Sequence, residues 1–234
     1  MHFLLTNDDG IEAPGLAAMA EAVRQIPGAT LDIVAPDVEQ SQCGHRVTTR
    51  ETLQVVEVGS KKYKVSGTPA DCVRAAIFGL GIKPDFVLSG INAGGNMGQA
   101  LVISGTIAGA REAAYHGLRS AAISHYLVSG LKVDWPRTSE WASQIISRLV
   151  AETLQDGEFW NVNFPHLSEG QKLAPATTHT EPSRSPLNVS FQIQSVAGAK
   201  VLQYDARYAD RPADPGSDVE VCFGGGISIS RLSV

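Results

Sequence analysis

Two aspartates stand side by side in Asn7-Asp8-Asp9-Gly10, near the start of a chain of 234 residues. Adjacent carboxylates repel each other unless a cation or a proton is shared, so a turn that holds them together suits a hard divalent metal. Asp is equally a preferred turn and helix-capping residue, and the pair alone leaves that simpler role open. A second group, Ser89-Gly90-Ile91-Asn92-Ala93-Gly94-Gly95-Asn96-Met97-Gly98, is followed by Ser104-Gly105-Thr106. Residues 86 to 110 contain no Asp, Glu, Lys, Arg or His, yet carry six glycines and two asparagines. Backbone amides, hydroxyls and a helix N-terminus can hold a phosphoryl group without basic side chains. Flexible turns between sheet elements share this composition. The stretch matches neither G-x-x-x-x-G-K-[ST] nor G-x-G-x-x-G, and it lacks the lysine of ATP-cleaving loops. A third segment, Asp37 to Gly44, places Ser41 near its middle, where an exposed loop serine is the plainer reading.

Short apolar runs alternate with helical patterns around these groups. His2–Thr6, Leu31–Ala35, Phe86–Ser89, Ala121–Ser124 and Phe159–Phe164 read as strands. Leu16–Ile26, Pro69–Leu80, Ile103–His116 and Ser139–Leu154 read as helices, and Thr52–Val58 with Tyr63–Val65 reads as a hairpin. The alternation implies an α/β fold, a mostly parallel sheet with helices on both faces. Open sheets of this kind bind ligands at the carboxyl ends of their strands. The aspartate pair, the glycine-rich stretch and the Ser41 loop all leave strands at that edge, so Asp8, Asp9, Ser41 and Asn92 could converge.

From about Pro165 helical periodicity is lost, and half of the twelve prolines fall there. Val189–Ala197 and Lys200–Tyr204 suggest a hairpin and Ile227–Leu232 a last strand. The expected division is a core of 1–165 and a hairpin and tail extension of 166–234 that makes oligomer contacts.

With 43% hydrophobic and 18% charged residues, the composition excludes disorder and coiled coil. A net charge of −5 without a basic stripe argues against a nucleic-acid polymer as partner. No apolar run reaches the length of a membrane span, and Asn7-Asp8-Asp9 interrupts any signal-peptide core, so a chain without membrane association is expected. Cys43, Cys72 and Cys222 are far apart and unpaired by spacing, which argues against a disulfide framework or thiolate zinc site and makes a reducing cytoplasm the simplest setting.

Five motifs in order carry a family resemblance. Thr6-Asn7-Asp8-Asp9-Gly10 with Ala13-Pro14-Gly15, Ala35-Pro36-Asp37 with Gln40-Ser41, and Gly67-Thr68-Pro69-Ala70-Asp71-Cys72-Val73 come first. Ser89-Gly90-Ile91-Asn92-Ala93-Gly94 with Asn96 and Gly98, and then Ser104-Gly105-Thr106, complete the set, extended by Asn161-Val162-Asn163-Phe164-Pro165. The chain resembles the SurE family of metal-dependent 5'/3'-nucleotidases. The resemblance implies a Rossmann-like core that hydrolyses phosphate monoesters, chiefly nucleoside monophosphates, with one Mg²⁺ or Mn²⁺ per subunit. It maps the metal ligands onto Asp8, Asp9, Ser41 and Asn92, and the phosphate contacts onto Asn96, Ser104, Gly105 and Thr106. Ile103 stands where many members have Tyr, and Gly216-Ser217-Asp218 echoes the family's Gly-Thr-Asp.

The expected catalytic set is Asp8, Asp9, Asn96 and Ser104. Asp8 takes the proton of an attacking water, or serves as nucleophile in an aspartyl-phosphate alternative that Gly10 disfavours. A non-catalytic nucleotide sensor is the other alternative. His45, four residues after Ser41, is the nearest candidate for protonating the leaving group. A homodimer or homotetramer is expected, with small phosphomonoesters as substrates.

Overall fold

The computed structural model describes residues 1–168 and 175–234. Residues 169–174, part of the expected extension, lie outside the described residues. Strand β1 (His2–Thr6) leads into helix α1 (Pro14–Arg24) and β2 (Thr30–Pro36), then to the hairpin β3 (Val55–Gly59) and β4 (Lys62–Val65). Helix α2 (Pro69–Arg74), β5 (Phe86–Ala93), α3 (Gly105–Tyr115), β6 (Ser120–His125), α4 (Trp135–Ala151) and β7 (Glu158–Phe164) follow. The remaining chain supplies β8 (Thr177–His179), β9 (Phe191–Val196), β10 (Ala199–Tyr204), α5 (Asp218–Phe223) and β11 (Ile227–Ser233).

Among the described residues, nine strands form one sheet in the order β3-β4-β2-β1-β5-β6-β7-β11-β8. The pairs from β4 through β2, β1, β5 and β6 to β7 are parallel, while β11 runs antiparallel to β7. Successive side chains of a strand point to opposite faces, so one strand feeds two cores. Phe3 and Leu5 enter the cluster that holds Leu16, Met19, Trp141 and Ile145 of α1 and α4, whereas Leu4 joins Val34, Val73 and Ala113 beside α2 and α3. Both faces of the sheet are thereby covered, as the alternating pattern requires.

The chain winds from β1 to β2 on one side and returns to β5 on the other, which puts the topological switch point between β1 and β5. Strand β5 runs four residues further than its apolar core suggests, to Ala93, with a register break between Gly90 and Asn92. Gly90 has a φ of +132°, and a Cβ there would lie 2.0 Å from the Ile123 carbonyl oxygen, so only glycine lets β5 and β6 pair at this point.

Several boundaries differ from the sequence reading for local reasons. The helix expected from Ile103 starts at Gly105, because Ser104 caps it by accepting the Ile107 N–H, and residues 98–102 form a separate 3₁₀ turn. After Arg74, α2 continues as a π-helical turn through Gly79. In the proline-rich third, β8 and α5 are too short to show a period, yet β8 pairs with β11, and α5 is capped by the Ser217 hydroxyl. The expected hairpin is present as β9 and β10, every residue of which is exposed. No helix among the described residues is long and apolar enough to cross a membrane.

Candidate active site

At the switch point a cleft of about 740 Å³ is lined by Asp8, Asp9, Ser41, Asn92, Asn96 and Ser104, all of them sequence candidates. A larger cleft of about 850 Å³, beside β8 and β11, contains none of them. Gly105 and Thr106 lie just behind the lining. A Cβ on Gly105 would come within 2.9 Å of the Asp8 Cβ and 2.9 Å of the Cys43 Sγ, so the first turn of α3 packs directly on the aspartate. The Thr106 hydroxyl donates to Asp8 Oδ1 at 2.5 Å.

Asp8 is only 4% exposed. Burial, reinforced by the Asp9 charge, pushes its carboxyl up to about 6 against the opposing Thr106 bond. Asp9 is half-buried and accepts the Ala93 N–H at 2.9 Å; burial and the Glu39 charge raise its pKa as well. Neither aspartate forms an ion pair with a Lys, Arg or His among the described residues. The Asn92 Nδ2 donates to the Gly94 carbonyl at 2.7 Å, which leaves its Oδ1 as the atom available to a cation. Ser41 donates to Glu39 Oε1 at 2.6 Å. Among the described residues no three His, Cys, Asp or Glu side chains are grouped to hold a metal, so any ion here needs the hydroxyl and amide oxygens beside the aspartates.

The glycine-rich loop is fastened from outside itself. Asn163 accepts the Asn96 N–H at 2.8 Å and donates to the Asn96 carbonyl at 3.0 Å, and Asn161 donates to the same carbonyl at 2.9 Å. The Asn96 side chain donates to the Ser124 hydroxyl at 2.8 Å. Asn161 and Asn163 share a parity on a buried strand, and that pattern of paired amides in an apolar run was a readable sign of such a role.

Other lining residues escaped the sequence reading. Glu39 sits in the Asp37–Gly44 loop beside Ser41, and Tyr204, Arg207, Tyr208 and Arg211 come from the end of the exposed hairpin and the turn after it. The only hint of the latter was the interleaving of arginine and tyrosine in Arg207-Tyr208-Ala209-Asp210-Arg211. Ile103, where the family often has Tyr, is half exposed on the cleft wall. His45 does not line the cleft: its Nε2 lies 2.7 Å from Glu112 Oε2 on α3, in a cluster with Arg74 and His116. These contacts hold the Glu112 carboxyl down at about 2 despite its burial. Asp71 closes a capping box with Thr68 at the start of α2 and also accepts from Thr48, so it serves the turn.

Fold and site together define a Rossmann-like α/β protein with an acidic pair and an uncharged glycine-rich loop facing each other across the switch point. The family model described as survival protein SurE matches residues 3–185, and the chain belongs to the SurE family. A protein of Nostoc sp. PCC 7120, named as a candidate 5'-nucleotidase, is 43% identical over 234 residues and covers all of both chains. The 5'-nucleotidase SurE of Allorhizobium ampelinum is 36% identical over 240 residues, spanning 100% of this chain and 92% of its own. The crystal structure of the SurE protein from Aquifex aeolicus superposes with a TM-score of 0.84 at 30% identity, covering 100% of this chain and 93% of that one.

Proposed function

We propose that the chain is a metal-dependent phosphomonoesterase that hydrolyses nucleoside 5'-monophosphates, and 3'-monophosphates with them, to nucleoside and phosphate. The observation that carries this reading is the buried Asp8 with Asp9, two carboxylates without an ion-pair partner among the described residues, in one cleft with the amide and hydroxyl groups of Asn92, Asn96 and Ser104. The relatives named 5'-nucleotidase support the substrate class.

The residues present fit one hard divalent ion, Mg²⁺ or Mn²⁺. Two desolvated carboxylates whose proton affinity is raised by burial and by neighbouring acids, Asp9 beside Asp8 and Glu39 beside Asp9, gain most from a shared cation, and Ser41 and Asn92 complete an all-oxygen donor set. Bound there, the ion supplies positive charge to a phosphoryl oxygen and acidity to a water. Asp8 would accept the proton of the attacking water, and the Thr106 hydroxyl on Oδ1 holds the carboxylate in place. The Ser104 hydroxyl already accepts the Ile107 N–H, so its own proton is free to donate to a phosphoryl oxygen. Asn96 and the Gly105 amide at the start of α3 add the remaining donors for charge on the transferring group.

The exposed hairpin carries Phe191, Ile193, Leu202 and Tyr204 on one face, paired as Phe191 with Tyr204 and Ile193 with Leu202. A lone two-stranded ribbon with an apolar face is marginal in water, and we assign it to a contact with another copy in a homodimer or homotetramer. The cytoplasm is the compartment that suits three free thiols.

Phosphate release from a panel of nucleotides, with Mg²⁺ and Mn²⁺ in parallel, tests the function. Release that appears with metal and stops with chelator is expected. Binding without release would leave the sensor reading, and a phosphoaspartate trapped by rapid quench would replace water attack with attack by Asp8.

A further inference from the structure

The cleft that holds the aspartates has a buried cation in its lining. Arg211 is 93% buried by its 7% exposure, lines the cleft, and forms no ion pair among the described residues. Its guanidinium is braced on three sides. Nη1 donates to the Met97 carbonyl at 2.7 Å, Nε to the Tyr208 carbonyl at 3.3 Å, and the plane lies over the Tyr208 ring with 3.6 Å to the centroid. Nη2 is left buried without a partner. Tyr208 is fastened in turn, its hydroxyl donating to the Gly95 carbonyl at 2.6 Å.

These contacts act on the same loop that Asn161 and Asn163 hold. The carbonyls of Gly95, Asn96 and Met97 are each occupied by a donor, from Tyr208, the two asparagines and Arg211 respectively. Asp218 takes the N–H of Gly98 at 2.9 Å. A carbonyl oxygen aimed at a phosphoryl oxygen is repulsive, so three occupied carbonyls remove that repulsion from the segment containing Asn96. A buried guanidinium with an unused N–H needs an acceptor, and an anion satisfies both its charge and its donor.

Resting on the phosphomonoesterase reading, we propose that Arg211, braced by Tyr208, is a phosphate contact of this site, its guanidinium donating to an oxygen of the phosphoryl group beside Asn96. The glycine-rich loop is uncharged in its own sequence, and its cation arrives from more than a hundred residues downstream. Tyr208 is a positioning residue that sets the guanidinium plane and fixes the Gly95 peptide.

The test is calorimetric binding of inorganic phosphate, and separately of adenosine, to the full chain in Mn²⁺, for the parent and for R211M, R211K and Y208F. Thermal melting and Mn²⁺ affinity without phosphate are recorded alongside. R211M is expected to weaken phosphate about ten- to hundredfold, with adenosine and Mn²⁺ affinity kept. R211K, which keeps the charge and loses the planar fork, should recover part of that loss, and Y208F should weaken phosphate by severalfold. Should R211M fail to fold, R211K alone decides: phosphate affinity equal to the parent at an equal melting temperature overturns the assignment. Loss of adenosine rather than phosphate binding overturns it too, by moving Arg211 to the leaving group. If the parent hydrolyses nucleotides while R211M binds phosphate normally, this inference falls and the phosphomonoesterase stands. If the parent hydrolyses no monoester yet binds phosphate through Arg211, the enzyme reading falls and the contact stands.

Discussion

On one side of the cleft, Asp8, Asp9, Glu39 and Ser41 come from the ends of β1 and β2, within 34 positions of one another in sequence. On the other side, Asn96 and Ser104 meet side chains from β6, β7 and the turn after the hairpin, up to Arg211. The first wall is acidic and short of hydrogen-bond donors, and the strain of like charges is left for a cation to relieve. The second has no charge of its own between 86 and 110, and its carbonyls at Gly95, Asn96 and Met97 are each hydrogen-bonded. A wall that must capture an ion concentrates carboxylates, whereas one that must present donors at fixed positions ties down the carbonyls that could move them.

Breaking the acidic wall has the largest expected effect. Asp9→Asn removes a carboxylate from a site with few others, so turnover should fall roughly a hundred- to ten-thousandfold together with Mn²⁺ affinity. Activity and metal titration on one preparation check this, and full Mg²⁺-dependent turnover in the variant would take Asp9 out of the metal site. On the opposite wall, Asn163→Ala frees the N–H of Asn96 and removes one of the two donors to its carbonyl, leaving Asn161. A loss of about 1–3 kcal/mol in unfolding free energy is expected, with kcat reduced about tenfold or more at unchanged Mn²⁺ affinity. A fall in metal affinity instead would show that the two walls are not separate devices.

The support beneath the second wall gives a pH signature. His125 follows Ser124 on β6, and burial, with His166 and Arg137 nearby, lowers its pKa to about 4. The folded protein therefore binds fewer protons than the unfolded chain between pH 6.5 and 4. The associated stability, about 3 kcal/mol, is present above 6.5 and is lost as pH falls through that window. Urea unfolding at stepped pH should show the slope, and His125→Gln should flatten it; an unchanged slope would place the acid sensitivity elsewhere. The smallest effect is expected at His45. Because it binds Glu112 and not the cleft, His45→Gln should leave kcat within about twofold, and steady-state kinetics with a poor leaving group would expose any role in protonation.

The SurE membership and the parallel sheet were legible because their signals are local. Asp8 and Asp9 are neighbours, Ser104-Gly105-Thr106 is one helix start, and the apolar runs of β1, β2, β5, β6 and β7 mark strands buried on both faces. Less legible were the three-residue β8 and six-residue α5, which are shorter than the period that would identify them. The extension of β5 to Ala93 was hidden for a related reason: its last residues are polar or glycine and are held by pairing with β6, not by hydrophobicity. His45 illustrates the converse, a residue close to Ser41 in sequence whose loop carries it to α3.

Residue order by itself determined the fold class, the acidic pair and the uncharged stretch that answers it, since each rests on composition or on spacing within one element. Tertiary structure alone decided that Asn163 grips Asn96 and that Arg211 supplies a cation to a loop that has none. Those contacts join residues 67 and 114 positions apart, and their energy comes from burying polar groups against one another, for which adjacency in the chain carries no signal.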